Sequence, residues 1–423
     1  MFSVLGIFSG LQPLLKQNFG KAKSSTRFET LKTNSIVVNK GIILFQFIFA
    51  IILIVAVLVI SQQTNYALKS SMGVQNDNVI CMESVHANVQ QKFDLFKSEL
   101  LKYQTIESVS AMLEPPGGEA NDMFTFEFEG YPKKAGGQQE RLGVFPCDYS
   151  FAELFNLEFL SGSNFSKWNT DNEGSGEYIL NETALQQLNY SNPNSIIGKQ
   201  FKLISPVPGI VIPKGKIIGV VKDFHLSSIK KKVRPLVLFK RKNLWMINFV
   251  VSHKEGLREE AIEDIKTVWN EMFPAHSFAY EHVSTMYRQV YKTEILQARL
   301  LTVFTLLSLF ICSMGLLGLS LLISQQRTKE IGIRKVNGAK ISEILVLLNA
   351  DFIKWVAIAF VIATPIAYFA MNKWLENFAY KTSLSWWIFA LAGLLALGVA
   401  LVTVSFQSWK AASRNPVEAL RYE

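Results

Sequence analysis

The sequence predicts a membrane α-helical protein: four transmembrane helices, with a large α+β extracytoplasmic domain, in two lobes, inserted between helices 1 and 2. Three observations carry this. The chain of 423 residues is 49% hydrophobic but only 18% charged, below the roughly 25% usual in soluble domains. Its apolar residues gather in long runs. Its excess of base, a net charge of +9, sits at the ends of those runs, where the positive-inside bias operates.

A run of about 20 apolar residues crosses a bilayer as helix. "GIILFQFIFAIILIVAVLVI", residues 41–60, is the first, with Gln46 its one clearly polar side chain. No small-residue cleavage motif follows it, so it reads as a retained span and not a signal peptide. Residues 295–324 hold the second span, around the uncharged "LLTVFTLLSLFICSMGLLGLSLLIS". The third, residues 355–371, is short and contains Pro365, which neighbouring helices must accommodate. The fourth covers residues 386–409. Trp355, Trp374, Trp386, Trp387 and Trp409 lie near run ends, as an interfacial aromatic belt places them.

Orientation follows from the flanks. Lys16, Lys21, Lys23, Arg27, Lys32 and Lys40 precede the first span, against Glu29 alone. Arg327, Lys329, Arg334, Lys335 and Lys340 separate the second from the third, and Lys410, Arg414 and Arg421 follow the fourth. Both termini (1–40 and 410–423) and the segment 325–354 are therefore expected in the cytoplasm. Residues 61–294 and the turn 372–385 are expected outside it. The opening "MFSVLGIFSGLQPLL" is apolar but too short to span.

Inside the insert, "MFTFEFEGY" puts Phe124, Phe126 and Phe128 on one face of a half-buried strand. "KIIGVVKDF" and "LWMINFVVS" are β-branched and aromatic, as strands are. Leu257, Ala261, Ile265, Val268 and Met272 recur at helical spacing, as do Val89, Phe93, Phe96 and Leu100. "EPPGGE" and "PVPGIVIPKG" are loops. "STMYRQVYKTEILQARLL" has few breakers and reads as a helical stalk running into the second span.

Chemistry is sparse. "GIVIPKGK" fails as a P-loop, with the wrong glycine spacing and no Ser or Thr after the lysine. No nucleophile elbow and no catalytic Cys/His spacing occur, so no catalytic residues and no metal site are expected. Asp223 and His225 share a face; a hydrogen-bonded pair fixing a turn outweighs a metal or acid–base role without a third ligand. The spans lack charges, which disfavours a proton or ion pathway, and Asp351 and Lys354 at a span edge read as snorkelling. No pattern of nucleic-acid binding appears. A Cys81–Cys147 disulfide and two free structural thiols are both compatible with the spacing. Gly315, Gly318, Gly393 and Gly398 let helices approach closely, within the subunit or across a dimer.

Between the second and third spans stands "RTKEIGIRKVNGAK", residues 327–340. Glu330 and Arg334 are four apart in the stabilising order. Gly338 suits a left-handed helix stop, and Ser342 suits the N-cap of the next helix. The segment thus reads as a helix, a sharp stop and a second helix.

That segment, its continuation "ISEILVLLNADFIKWVAIAFVIATPIAYFAMNKWLENFAYKTSLSWWIF" and the closing "SFQSWKAASRNPVEALRYE" resemble the C-terminal region of MacB/FtsX-type ABC transporter permeases. "FPCDYSFAELFNLEFLSG", "YILNETAL" and "IIGVVKDFHLSSI" resemble recurring segments of the extracytoplasmic domain in the same family. The likeness covers essentially residues 35–423, and it is to the second half of double-length members. Asn337 departs from the apolar residue common there. The resemblance implies a bacterial inner-membrane protein with no cofactor of its own, ATP being held by a separate cytoplasmic ATPase. It implies docking of that ATPase on the 327–340 segment, through Arg327, Lys329, Glu330, Gly332, Arg334, Lys335, Gly338 and Lys340. It implies pairing with a second copy or another permease half, a periplasmic or outer-membrane partner, and efflux or mechanical handling of macrolides, antimicrobial peptides or lipoproteins. Control of a partner such as a cell-wall hydrolase, without transport, fits the same architecture. A membrane-anchored hydrolase fits worse, because it leaves four spans unexplained.

Overall fold

The computed structural model describes residues 25–71, 78–131, 140–167, 175–240 and 246–412, with side chains from residue 41 onward except at 328–329 and 411–412. The opening segment 1–15 and the tail after 412 lie outside these residues. The chain divides into two compact units. One holds the residues up to Gln63, Glu294–Asn377 and those from Lys381 onward; the other holds Thr64–Thr293 with Phe378–Tyr380. The first long helix, α1, covers Ser25–Ser70.

The inserted unit is built on two sheets. Its elements in order are β1 (Val79–Met82), α2 (Phe93–Leu100), β2 (Ile106–Met112), β3 (Met123–Phe128), β4 (Arg141–Pro146) and β5 (Phe159–Gly162). Then come β6 (Gly176–Asn181), β7 (Gln200–Ile204), β8 (Gly215–Val221), β9 (Leu236–Phe239) and β10 (Asn248–His253). The helix α3 (Arg258–Met272), the short β11 (Glu281–His282) and α4 (Val283–Val290) complete it. Four strands form an antiparallel sheet in the order β11-β1-β10-β2. The other seven run β5-β8-β6-β9-β4-β3-β7, and β7 returns to pair with β8, so the larger sheet closes on itself. The β4–β9 and β6–β8 pairs are parallel. At Gly215 a Cβ would lie 1.7 Å from the Gly176 carbonyl oxygen, so only glycine lets β6 and β8 approach there.

Alternation along the strands sorts side chains into three cores. Ile80, Met82, Phe249 and Val251 face α2 and α3, meeting Phe93, Phe96, Ile265 and Trp269. Val144, Tyr178, Leu180, Val237 and Phe239 fill the closed sheet. The alternate residues Val79, Cys81 and Val250 of the small sheet share a third core with Phe145, Ile179 and Leu238 of the large one. The two lobes expected from the sequence therefore meet through a common apolar layer.

One buried ion pair reinforces this join. Lys97 of α2 donates to Asp148 (2.5 Å) and to Ser150 (2.7 Å), both just after β4, and its ammonium lies 3.7 Å from the Tyr149 ring centroid. Both charged side chains are about 5% exposed. Cys81 and Cys147 are free and buried within the shared core. Burial pushes both thiols well above the usual range, helped at Cys81 by Glu83 and Glu281 and at Cys147 by Asp148.

Three local details differ from the periodicity. The helix expected through Val89 and Phe93 breaks into Ala87–Gln90 and Phe93–Leu100, yet Val89, Phe93, Phe96 and Leu100 all remain buried. The stalk is interrupted at Tyr291, a buried residue whose hydroxyl accepts from the Ile229 amide at 2.9 Å. Asp223 does not pair with His225: its carboxylate accepts from Asn181 Nδ2 (2.8 Å), the Thr183 amide (3.0 Å) and the Thr183 hydroxyl (2.5 Å).

The other unit continues with α5 (Lys292–Gln326), α6 (Thr328–Val336), α7 (Ile341–Leu375) and α8 (Trp386–Ala412). Four helices, within α1, α5, α7 and α8, are long and apolar enough to cross a membrane. α7 runs unbroken through Pro365. Gly393 of α8 leaves room for the Phe360 ring of α7, 2.8 Å from where a Cβ would stand, and Gly315 of α5 does the same for Gln46 of α1 at 3.1 Å. Gly318 and Gly398 have no such neighbour within 4 Å.

Two outcomes are expected. Asp148→Asn strands a buried ammonium, a loss of ~3–5 kcal/mol, and should lower the melting midpoint of the purified chain in detergent by about ten degrees. The double substitution Lys97→Met/Asp148→Leu should recover most of that in scanning fluorimetry. Maleimide should leave Cys81, Cys147 and the equally buried Cys312 unmodified in the native chain at pH 7 and modify all three after denaturation, as counted by intact mass.

Candidate functional site: the elbow between the second and third spans

The helix α5 ends at Gln326, where Arg327 leaves helical geometry (φ −93°, ψ 10°), and α6 begins at Thr328. It stops after nine residues. Gly338 takes the left-handed conformation (φ +88°) that its place after Asn337 called for. Its amide donates to the Lys335 carbonyl at 3.0 Å, and the Ala339 amide to the Arg334 carbonyl at 2.9 Å. These two bonds form a Schellman stop, which satisfies carbonyls that a helix end leaves open. The next helix starts at Ile341, with Lys340 at the N-cap position. Ser342 therefore sits in the first turn and not at the cap; the chain re-enters the helix immediately after the stop, and the Lys340 carbonyl already accepts from the Glu343 amide at 3.1 Å.

Two interactions hold α6 against its neighbours. Ile331 is 6% exposed and packs with Ile344 and Leu348 of α7 and Ile323 of α5. Arg327 donates to Asp351 of α7 at 3.1 Å. Asp351 therefore has a specific partner and is not merely snorkelling. Both side chains are about a third exposed or more, so the pair contributes modestly to stability and chiefly fixes where α6 begins. Glu330 and Arg334 form the i,i+4 pair at 2.9 Å, worth a few tenths of a kcal/mol.

The residues expected to dock differ in exposure. Arg327, Glu330 and Arg334 are engaged within the chain. Lys340 is exposed, Lys335 half-buried and Gly332 buried. The Lys329 side chain lies outside the described residues. Sequence reasoning missed the apolar part of the same surface. Ile333 is 55% exposed, Val336 66%, and Ile341 is exposed beside them in sequence. The signal was present: at ~100° per residue, Ile333 and Val336 fall on the side of α6 opposite Ile331. One apolar residue of α6 serves the fold and two face outward.

Among the described residues no group of three His, Cys, Asp or Glu side chains could hold a metal ion. His225 stacks edge-on against Tyr380 with centroids 4.6 Å apart; burial lowers its pKa, and the nearby Asp223 opposes that shift.

Comparisons with known proteins bear on this elbow. Residues 302–416 match the FtsX-like permease C-terminal family, which includes the whole segment. The macrolide export ATP-binding/permease protein MacB of Sodalis glossinidius is 28% identical over 179 residues, 41% of this chain and 27% of that protein. The pyoverdine export ATP-binding/permease protein PvdT of Pseudomonas fluorescens is 22% identical over 305 residues, 69% of this chain and 43% of that protein. The chain thus spans less than half the length of either relative. The periplasmic region of MacB from Actinobacillus actinomycetemcomitans aligns with 53% of this chain and 95% of its own, at 11% identity and a TM-score of 0.34. Residues 302–416, which hold the elbow, thus carry an FtsX-like permease C-terminal domain, and the chain with its four apolar helices is similar to the MacB and PvdT ATP-binding/permease proteins.

Proposed function

We propose that the elbow seats a cytoplasmic ATPase held on a separate chain, and that ATP-driven closure of that ATPase is transmitted through the spans to the inserted domain. On this reading the chain lies in the bacterial inner membrane with both termini and the elbow in the cytoplasm, and with the inserted domain outside. It works beside a second permease half, either another copy or a different chain. Its task is export or mechanical handling of a cargo of the macrolide, antimicrobial-peptide or lipoprotein class, with a periplasmic or outer-membrane partner. The named activities of MacB and PvdT, macrolide and pyoverdine export, support export as the class of work.

One observation carries the docking. Ile333 and Val336 face outward on α6, which Ile331 and the Arg327–Asp351 pair hold in place, and Ile341 at the start of α7 is exposed close to them in sequence. The flanking residues Arg334, Lys335 and Lys340 supply positive charge. An apolar centre with a charged rim is the usual composition of a protein interface. Topology alone would account for the lysines and arginines, but not for two apolar side chains turned away from the helix's own packing.

The test is co-purification from native membranes, with ATP hydrolysis measured on the captured complex. Ile333→Asp/Val336→Asp should weaken ATPase association by at least tenfold, since central apolar contacts are worth ~1–2 kcal/mol each or more; membrane insertion should be unchanged. Retention of the ATPase at wild-type levels would sink the docking assignment. Arg327→Glu should reduce association several-fold, and Arg327→Glu/Asp351→Arg should restore most of it, because the pair positions α6. Gly338→Val forces a β-branched residue into the left-handed region, at ~1–2 kcal/mol, and should uncouple ATP hydrolysis from export.

A further inference from the structure

The inserted unit carries a basic pocket that the docking elbow does not explain. Lys230, Lys231, Lys232 and Arg234 are exposed within five residues, between β8 and β9. Three of them line a pocket of about 60 Å³ together with Glu119 and His225. Against the roughly 15 Å³ needed to hold one water, that leaves room for a group the size of a phosphate.

Charge in the pocket is unbalanced. Lys231 pairs with Glu119, the one carboxylate among the lining residues. Arg234 donates to the neutral Asn121 side chain at 3.3 Å. The neighbouring Asp223 carboxylate is taken up by Asn181 and Thr183. Three cations therefore face one carboxylate.

Where this segment lies follows from the chain itself. Phe378–Tyr380 belong to the inserted unit and are bonded to the basic segment. The Ala379 amide donates to the Lys230 carbonyl and the Tyr380 amide to the Ile229 carbonyl, both at 3.2 Å. The Val233 amide donates to the Tyr380 hydroxyl at 3.3 Å. Yet Tyr380 follows the end of α7 at Leu375 by five residues and precedes the start of α8 at Trp386 by six. Five extended residues reach at most ~18 Å, and the polar layer on each side of the hydrocarbon is itself several ångströms thick. Exposed Trp386 and Trp387 mark the interface at the other end of the connection. A segment bonded to this short connection is held at headgroup level.

We propose that the pocket formed by Lys231, Lys232, Arg234 and His225 binds the phosphodiester of an anionic membrane phospholipid in the adjoining leaflet. Guanidinium and ammonium donors suit phosphate oxygens, and basic residues at a membrane surface favour anionic lipid. The shared chemistry is phosphate; the tether to two span ends favours the lipid over the free ion.

The full chain, purified in a neutral detergent, should be incubated with phosphatidylglycerol or phosphatidylcholine of matched acyl chains and examined by native mass spectrometry. The wild type is expected to hold one phosphatidylglycerol more than Lys231→Gln/Lys232→Gln/Arg234→Gln, with at least tenfold weaker binding at that site in the variant and no change in phosphatidylcholine. Lys232→Gln alone should give about a threefold loss, and it serves as the test if the triple variant melts early. Lys266→Gln, an exposed lysine on α3, should have no effect. Equal phosphatidylglycerol occupancy in wild type and variants would overturn the proposal, as would equal loss of both lipids or the same loss with Lys266→Gln. Displacement of the lipid by millimolar inorganic phosphate would reassign the pocket to a free anion and overturn the lipid assignment.

Discussion

Every backbone amide that enters hydrocarbon must find its partner within the protein, since no water is there to supply one. This confines irregular backbone to the ends of the spans, and that is where the chain places its special geometry. Arg327 and Gly338 bracket α6 immediately after α5, and Tyr291 interrupts the helix just before it. Within the spans several hydroxyls bond locally and one amide pairs across helices. Thr305, Ser313, Thr364 and Thr403 each donate to the carbonyl four residues earlier. Asn349 of α7 donates to Ser405 of α8 at 2.7 Å.

The inserted unit answers a different constraint. Its two sheets each bury both faces, and the layer between them holds side chains from both. A one-residue slip of a strand would send each of its side chains to the opposite face and so into the wrong core. The Lys97–Asp148 pair then fixes the registry of α2 against the large sheet, at the cost of desolvating two charges. Its lobes are thus poorly suited to slide on each other, and the unit is better fitted to move as one piece than to open and close.

How much of this was legible depends on the range of the interaction. The four spans follow from runs of about 20 apolar residues, each far longer than the noise of composition. Strands β3, β8 and β10 were legible because alternation and β-branching are local; Phe124 and Phe128 are buried and Phe126 partly so. The Gly338 stop was legible because one residue type tolerates that φ. Contacts between distant segments left no local trace. Nothing near Asp351 in sequence points to Arg327, and nothing in "NFAYKTSL" indicates that Tyr380 bonds to Val233. Ser342 was misplaced as a cap for a related reason: the chain had a Schellman stop and restarts two residues earlier than a cap at Ser342 would dictate.

The elbow shows why charge counting alone could not separate topology from recognition. Lysine and arginine at this position satisfy the positive-inside bias wherever their side chains point, so they carry little information about a partner. Once Arg327 is bonded to Asp351 and Arg334 to Glu330, much of the charge is accounted for inside the chain. What the fold does not consume is apolar: Ile333 and Val336 turn outward although Ile331, two residues before, shows that the helix has an inward face to offer. On the docking proposal, the specificity of the surface lies in those side chains.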